Sequence, residues 1–291
     1  MVALIALGAA LAFGVAHILV RTGLVYGSTT TAIAVNIVSM SGFVWLLLGP
    51  WGSWDAVSLA GVAWFMGAGA IAPLVTQFLF YAAMTRVGVA RAASLRNTTP
   101  LFASVLAVIF LGEQWTVALA IGTIMIIAGA TMLGARDAAA PLQFRKRDLL
   151  LPMVAAFLGG VVSPMRKFGF SLLPSYPLVV CFTLTGSVAG LVIGLLIAEN
   201  YKSLEMTHRT IFWFALSGVA TGVGISLYLL ALNLGQVVFV DPLIATSPLF
   251  TLLLARLFLR RHETITAKVV AGAAAIFVGV IVILGVKSWS V

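Results

Sequence analysis

Charge is what this sequence has least of. Asp, Glu, Lys and Arg together make up 9% of its 291 residues, where a soluble domain carries about 25%. Seventeen basic and eight acidic side chains cannot clothe a chain of this length in water, so a soluble globular fold is excluded. Cysteine is almost as scarce. Cys181, inside an apolar run, stands alone, which excludes a disulfide, a thiolate metal cluster or dithiol chemistry within one chain and leaves it as a small core hydrophobe. The sequence has no phosphate-cradling glycine loop ending in Lys-Ser/Thr, no His-Glu-x-x-His pair and no Gly-x-Ser-x-Gly elbow. ATP-driven transport and the corresponding hydrolase chemistries therefore have no residues to run on, and neither a metal nor a cofactor is called for. The Lys and Arg residues are strung out between apolar runs. A nucleic-acid site would gather them on one face, so no nucleic-acid partner is expected.

What the sequence does have is apolar length. Hydrophobic residues make up 62% of it, in runs long enough to cross about 30 Å of hydrocarbon as helices. Ten runs stand out, at Val2–Val20, Thr31–Gly49, Leu59–Met84, Ala92–Leu111, Trp115–Gly134, Leu149–Met165, Tyr176–Ala198, Ile211–Asn233, Val237–Leu259 and Ala267–Val286. Lipid offers the backbone no hydrogen bonds, so runs of this length are helices; a barrel would need alternating runs of about ten residues. The first run has no basic n-region and is read as a retained helix, not a signal peptide. The expected fold is all-α integral membrane, ten transmembrane helices as two inverted five-helix repeats. Residues 1–134 form the first repeat, 135–148 a basic linker and 149–291 the second repeat.

The duplication is legible in ordered anchors. Ala9-Ala10, Gly14, Arg21 and Gly23 match Ala155-Ala156, Gly160, Lys167 and Gly169. Tyr81 and Gly88 match Tyr228 and Gly235, Thr99-Pro100-Leu101-Phe102 matches Ser247-Pro248-Leu249-Phe250, and Glu113, Gly122 and Gly129 match Glu263, Gly272 and Gly279. An odd number of spans per half sends the second half in from the opposite side, the inverted arrangement of many secondary transporters. The paired glycines mark close helix contact.

Around Arg91-Ala92-Ala93-Ser94, Pro100-Leu101-Phe102, Phe110-Leu111-Gly112-Glu113 and Ile127-Ala128-Gly129, the chain resembles the EamA family of the drug/metabolite transporter superfamily. The second half carries a weaker version, Pro248-Leu249-Phe250 then His262-Glu263, Gly272 and Gly279. It departs in having Arg260-Arg261-His262 where a Leu-Gly pair is usual. The resemblance implies a ten-helix exporter-like fold with a central cavity. It names no solute, since relatives move amino acids, sugars, nucleotide conjugates and drugs.

Polar residues inside spans are costly, so each is packed against a partner or placed on a solute path. Gly69, Pro73, Gln77 and Tyr81 on the third span, and Ser217, Thr221, Gly224 and Tyr228 on the eighth, recur at near-helical spacing. They read either as cavity walls or as small-residue helix contacts. The fourth span carries Arg96, Asn97, Thr98 and Thr99 before Pro100, and the ninth Asp241-Pro242 and Thr246-Ser247-Pro248. Proline within a span frees carbonyls, which suits bent elements beside a cavity. Asp241 reads either as the proton or ammonium partner or as the cap of a helix beginning at Pro242. Arg96 reads as an anion contact or a snorkelling side chain, and His17 as a proton and substrate contact or a packing histidine. Ser163 is the repeat match of His17.

The candidate solute-binding set is thus His17, Gln77, Tyr81, Arg96, Asn97, Ser163, Tyr228 and Asp241, around a cavity lined by the first, third, fourth, sixth, eighth and ninth helices. The expected activity is secondary transport of a small polar or amphipathic metabolite by a multi-pass inner-membrane protein, an exporter acting as a monomer with protons as candidate coupling ion. A lipid or lipid-linked-sugar translocator, a scaffold subunit and an intramembrane enzyme are the alternatives. Odd-numbered connections hold nearly all the Lys and Arg, while the even ones and the C-terminus hold Arg166, Lys167 and Lys287. Retention of basic loops in the cytoplasm then places both termini outside it.

Overall fold

The structure is a computed structural model, and it describes residues 1–134, 145–197, 204, 206–258 and 266–286. The paired glycines of the duplication that fall within them, and the Pro-Leu-Phe turns, find their place in the packing. The first half consists of α1 (Val2–Gly23), α2 (Thr29–Leu48), α3 (Leu59–Gly69), α4 (Thr76–Val87), α5 (Val89–Arg96), α6 (Thr99–Leu111) and α7 (Val117–Gly134). The second consists of α8 (Leu150–Gly169), α9 (Tyr176–Ile197), α10 (His208–Leu234), α11 (Val237–Ile244), α12 (Ser247–Phe258) and α13 (Ala267–Leu284). No strand occurs among the described residues. Of the linker expected over 135–148, residues 135–144 lie outside them, as do Arg260, Arg261, His262 and Glu263.

Local chemistry sets where these helices begin and break. Ser28 and Ser58 accept from the backbone N–H groups of Thr31 and Gly61, capping α2 and α3. The third span breaks at Ala72, whose φ of −131° and ψ of 125° are extended, the conformation favoured before a proline. The fourth and ninth spans break alike. Pro100 and Pro248 have no N–H to offer the preceding turn, and Thr98 and Thr246 donate their hydroxyls to the carbonyls of Leu95 and Leu243, each at 2.6 Å. Gly88, at φ 86° and ψ 154°, joins α4 to α5 in a conformation open essentially to glycine alone. With α3–α4, α5–α6 and α11–α12 each forming one broken crossing, the described residues supply ten crossings. Nine of these crossings have the full apolar length, and the apolar stretch of α7 falls just short of it.

The halves pack as exchanged equivalents. A methyl group on Gly14 would meet Phe250 and the Thr251 amide at 2.9 and 3.1 Å, and one on Gly160 would meet Phe102 and the Ala103 amide at 2.5 and 2.9 Å. The first helix of each half thus lies on the Pro-Leu-Phe turn of the other. Gly23 rests on Phe214 and Gly169 on Phe65 in the same exchanged way. α7 and α13 meet across the axis, with Gly122 against the carbonyl of Gly279, Gly129 against that of Gly272, and the reverse. These approaches are what the paired glycines are for, and they make the two-repeat membrane fold plain.

Five crossings per half place Met1 and the α13 end on one face, here the terminal face, and the Arg145–Leu149 segment on the other, the linker face. Two boundaries differ from expectation. α1 runs on to Gly23 and α8 to Gly169, so Arg166 and Lys167, read as connection residues, belong to a span.

Candidate functional site

Two groups of polar side chains stand out, one nearer each face. The first is built on α8, α10 and α11. Tyr228 on α10 donates its hydroxyl to Asp241 Oδ1 at 2.8 Å, and Ser163 on α8 lies 2.8 Å from the same tyrosine oxygen. Tyrosine has one hydroxyl proton, so with Tyr228 donating to the aspartate, Ser163 donates to Tyr228. The result is a relay from Ser163 through Tyr228 to Asp241, and all three are buried. Arg166, also buried, donates from Nη2 to the carbonyl of Ala72 at 2.8 Å. It therefore satisfies the acceptor freed where the third span breaks. Its guanidinium carbon lies 5.8 Å from the Tyr228 ring centroid, and the Asp241 charge acts on it. Its Nε has no partner among the described residues.

Around the turn from α10 to α11, helix ends are met by charges of the right sign. Lys167 Nζ donates to the carbonyls of Leu232, Asn233 and Gly235 at 2.8, 3.2 and 2.9 Å, closing the C-terminal end of α10. Glu113 accepts from the backbone N–H groups of Val237 and Val238 at 2.9 Å each, capping α11. A cation at a helix C-terminus and an anion at an N-terminus both oppose the helix dipole favourably. Burial raises the Glu113 carboxyl above its ordinary value, against the pull of the two amides and of Lys167. Gly112, at φ 68°, ends α6 in the left-handed conformation and turns the chain so that Glu113 points at α11.

The second group sits nearer the linker face. His17 Nδ1 lies 3.4 Å from Thr251 Oγ1 on α12, so it faces the opposite half, yet His17 is exposed while its neighbours Ala16 and Ile18 are buried. Arg96 stands over the Phe80 ring at 4.6 Å and its charge acts on His17. Asn97, at the break between α5 and α6, and Gln77 on α4 are half-buried. The side chain of Tyr81 lies outside those described.

Of the candidate set, the structure thus brings together Ser163, Tyr228 and Asp241 at one end, while His17 and Arg96 lie toward the other. Asp241 is not a helix cap. α11 begins four residues earlier, at Val237, and Glu113 supplies the capping oxygens from another helix. The two expected stripes are divided in their roles. Gly69 packs against Thr183 and Ser187 of α9, and Ser217 and Thr221 accept from Asn36 Nδ2 of α2 at 2.7 and 3.3 Å, which is helix contact. Gly224 rests on Phe13, and Tyr228 alone of its stripe enters the relay.

Arg166, Lys167 and Glu113 were missing from the candidate set. The repeat could have found the first two. Gly23 and Gly169 are matched, so a first helix reaching Gly23 requires a sixth crossing reaching Gly169, with Arg166 inside it. Glu113 was visible only as a motif residue.

Residues 1–135 and 146–285 both match the EamA-like transporter family. The chain belongs to that family. It is therefore a multi-pass membrane transporter of the drug/metabolite type, with a small-molecule solute and the bilayer as its partners. A crystal structure of a protein 17% identical to it superposes with a TM-score of 0.79, over 97% of this chain and 95% of the other. At that identity the likeness is one of fold. No curated protein matches the chain.

Proposed function

We propose that this EamA-like chain is a secondary active transporter that exports a small polar or amphipathic metabolite by alternating access through a cavity between its halves. One contrast carries the reading. The polar group at the terminal face is sealed, with Ser163, Tyr228 and Asp241 buried, while His17, at the repeat position of Ser163, is exposed. Inverted repeats holding unequal conformations are what a carrier in one of two interchangeable states requires. His17, Gln77, Tyr81, Arg96 and Asn97 then border the open part of the path. Asp241, with its relay, is the proton-exchanging group at the closed end. The chain works as a monomer in the cell inner membrane with both termini outside, so the open part faces the cytoplasm, where an exporter loads.

Vesicles reconstituted with the protein test this, using labelled amino acids, sugars, nucleotide conjugates and cationic drugs with and without a pH gradient. At least one solute class should move uphill with the gradient. Asp241→Asn should lose uphill movement and keep part of the solute exchange. Full gradient-driven transport by that variant would remove Asp241 from coupling, and no movement above protein-free vesicles across the panel would sink the reading. A C-terminal fluorescent fusion that matures only in cytoplasm should stay dark, and a bright one would reverse the orientation.

A further inference from the structure

A second site lies at the linker face, where α4 meets α8. A cavity of about 620 Å³ is lined by Leu79 and Arg86 of α4, Arg145, Arg147 and Asp148 at the head of the second half, and Leu150, Leu151 and Val154 of α8. Its two ends differ in chemistry. At the mouth, Arg145 and Arg147 are exposed and Arg86 is mostly so. Asp148 is the one acid there. It lies 3.7 Å from Arg86 and accepts from the Arg145 amide at 3.0 Å, which leaves the guanidinium groups of Arg145 and Arg147 with no acidic partner among the described residues. The inner wall is apolar. Leu150 and Val154, one helical turn apart, are 58% and 43% exposed on α8, and Phe157 continues the same stripe at 45%. A span presents such a stripe to hydrocarbon. Leu79 and Arg86, seven residues apart on α4, lie on one face in the same order, apolar within the membrane and cationic at its edge.

We infer that this cavity is a binding site for an anionic phospholipid of the linker-face leaflet, its phosphodiester held by Arg86, Arg145 and Arg147 and its acyl chains laid along Leu79, Leu150, Val154 and Phe157. A cationic mouth above an apolar wall between two spans is the geometry that selects such lipids. Three cations against one carboxylate leave an excess positive charge, which favours an anionic headgroup over a zwitterionic one that brings its own cation. Free phosphate would use the arginines but gain nothing from the apolar wall. The site joins the halves, because α4 belongs to the first and α8 to the second, and α8 also holds the third span at its Ala72 break through Arg166. The inference goes beyond solute transport and does not depend on the solute or its direction.

Full-length protein in detergent, offered phosphatidylglycerol and phosphatidylcholine in equal amounts, should retain the anionic lipid preferentially in native mass spectra. Replacing Arg86, Arg145 and Arg147 together by Gln should lower that retention at least about tenfold. Replacing Arg209, Arg256 and Lys268 by Gln, which removes the same charge elsewhere at the same face, should leave it within about twofold. Equal losses in the two variants would reduce the effect to diffuse surface charge and overturn the site. So would displacement of the lipid by millimolar inorganic phosphate, or equal retention of the two lipids by the unaltered protein. A third arm does not depend on any variant: thermal unfolding of the unaltered protein should shift upward with phosphatidylglycerol and not with inorganic phosphate. Absence of that shift would count against the site.

Discussion

The two ends of the space between the halves are built from matched positions and have opposite characters. At the terminal face, Ser163, Arg166, Tyr228 and Asp241 are packed out of contact with solvent, and Lys167 and Glu113 fasten the adjoining turn. At the linker face, their repeat equivalents are His17 for Ser163, Val20 for Arg166, Tyr81 for Tyr228 and Ala93 for Asp241. There the described residues that stand between the halves remain partly accessible. The backbone is shared between the ends and the chemistry is not. Duplication supplied two equivalent frames, and only the second received an acid and a buried arginine. The lesson is that a pseudo-twofold axis governs helix contacts, while the buried acid and arginine are placed at one end.

The largest test of this asymmetry is Arg166. Arg166 gives the Ala72 carbonyl a charged donor within the buried group, and Arg166→Met, which leaves that acceptor unmet, should lower stability in detergent by about 3 kcal/mol. Thermal unfolding would read it. His17→Ala, at the open end, should cost less than about 1 kcal/mol, since its 3.4 Å contact to Thr251 is long and accessible. Equal losses at the two positions would show that the ends are energetically alike and that the contrast in burial carries no meaning.

The symmetric part of the comparison is sharpened at the glycines. A methyl group on Gly129 would lie 2.5 Å from the Gly272 carbonyl, and one on Gly272 2.9 Å from the Gly129 carbonyl. Each Gly→Ala change should therefore destabilise by about 1–3 kcal/mol through overpacking, with similar unfolding midpoints for the two variants. A large difference between them would mean that α7 and α13 do not meet symmetrically.

Crossings, duplication and the glycine contacts were legible, because apolar length and matched anchors are local or repeating signals. The fourth and ninth spans also read correctly as broken, since proline acts on its own neighbours. The Asp241 environment was half legible. Its isolation in an apolar run was plain, but Asp-Pro also spells a helix start, and only the amides of Val237 and Val238 meeting Glu113, more than a hundred residues away in the chain, decide against it. Arg166 was lost for a similar reason. A basic pair at the end of an apolar run reads as a loop anchor, and nothing local announces that Ala72, in the other half, has a carbonyl to offer it.

An effect smaller than that of Arg166 is the most specific to one end. Glu113 caps α11 with both carboxylate oxygens, so Glu113→Ala should cost about 2 kcal/mol, near the upper range for a helix cap. Glu113→Gln keeps one accepting oxygen and should cost about 1 kcal/mol or less. The pH dependence separates the cap from a mere packing role. Because burial holds the Glu113 carboxyl above its ordinary value of 4.5, the folded protein binds this proton more tightly than the unfolded chain does. Stability from this group is then fully present below pH 4.5 and falls as pH rises through the raised value, after which it is level. Gln does not titrate, so the difference in unfolding midpoint between the unaltered protein and Glu113→Gln should change across that window, with the unaltered protein losing ground as pH rises. Parallel midpoints across the window would show that the carboxyl titrates as it does in the unfolded chain, and that the end sealed by Glu113 is not sealed at all.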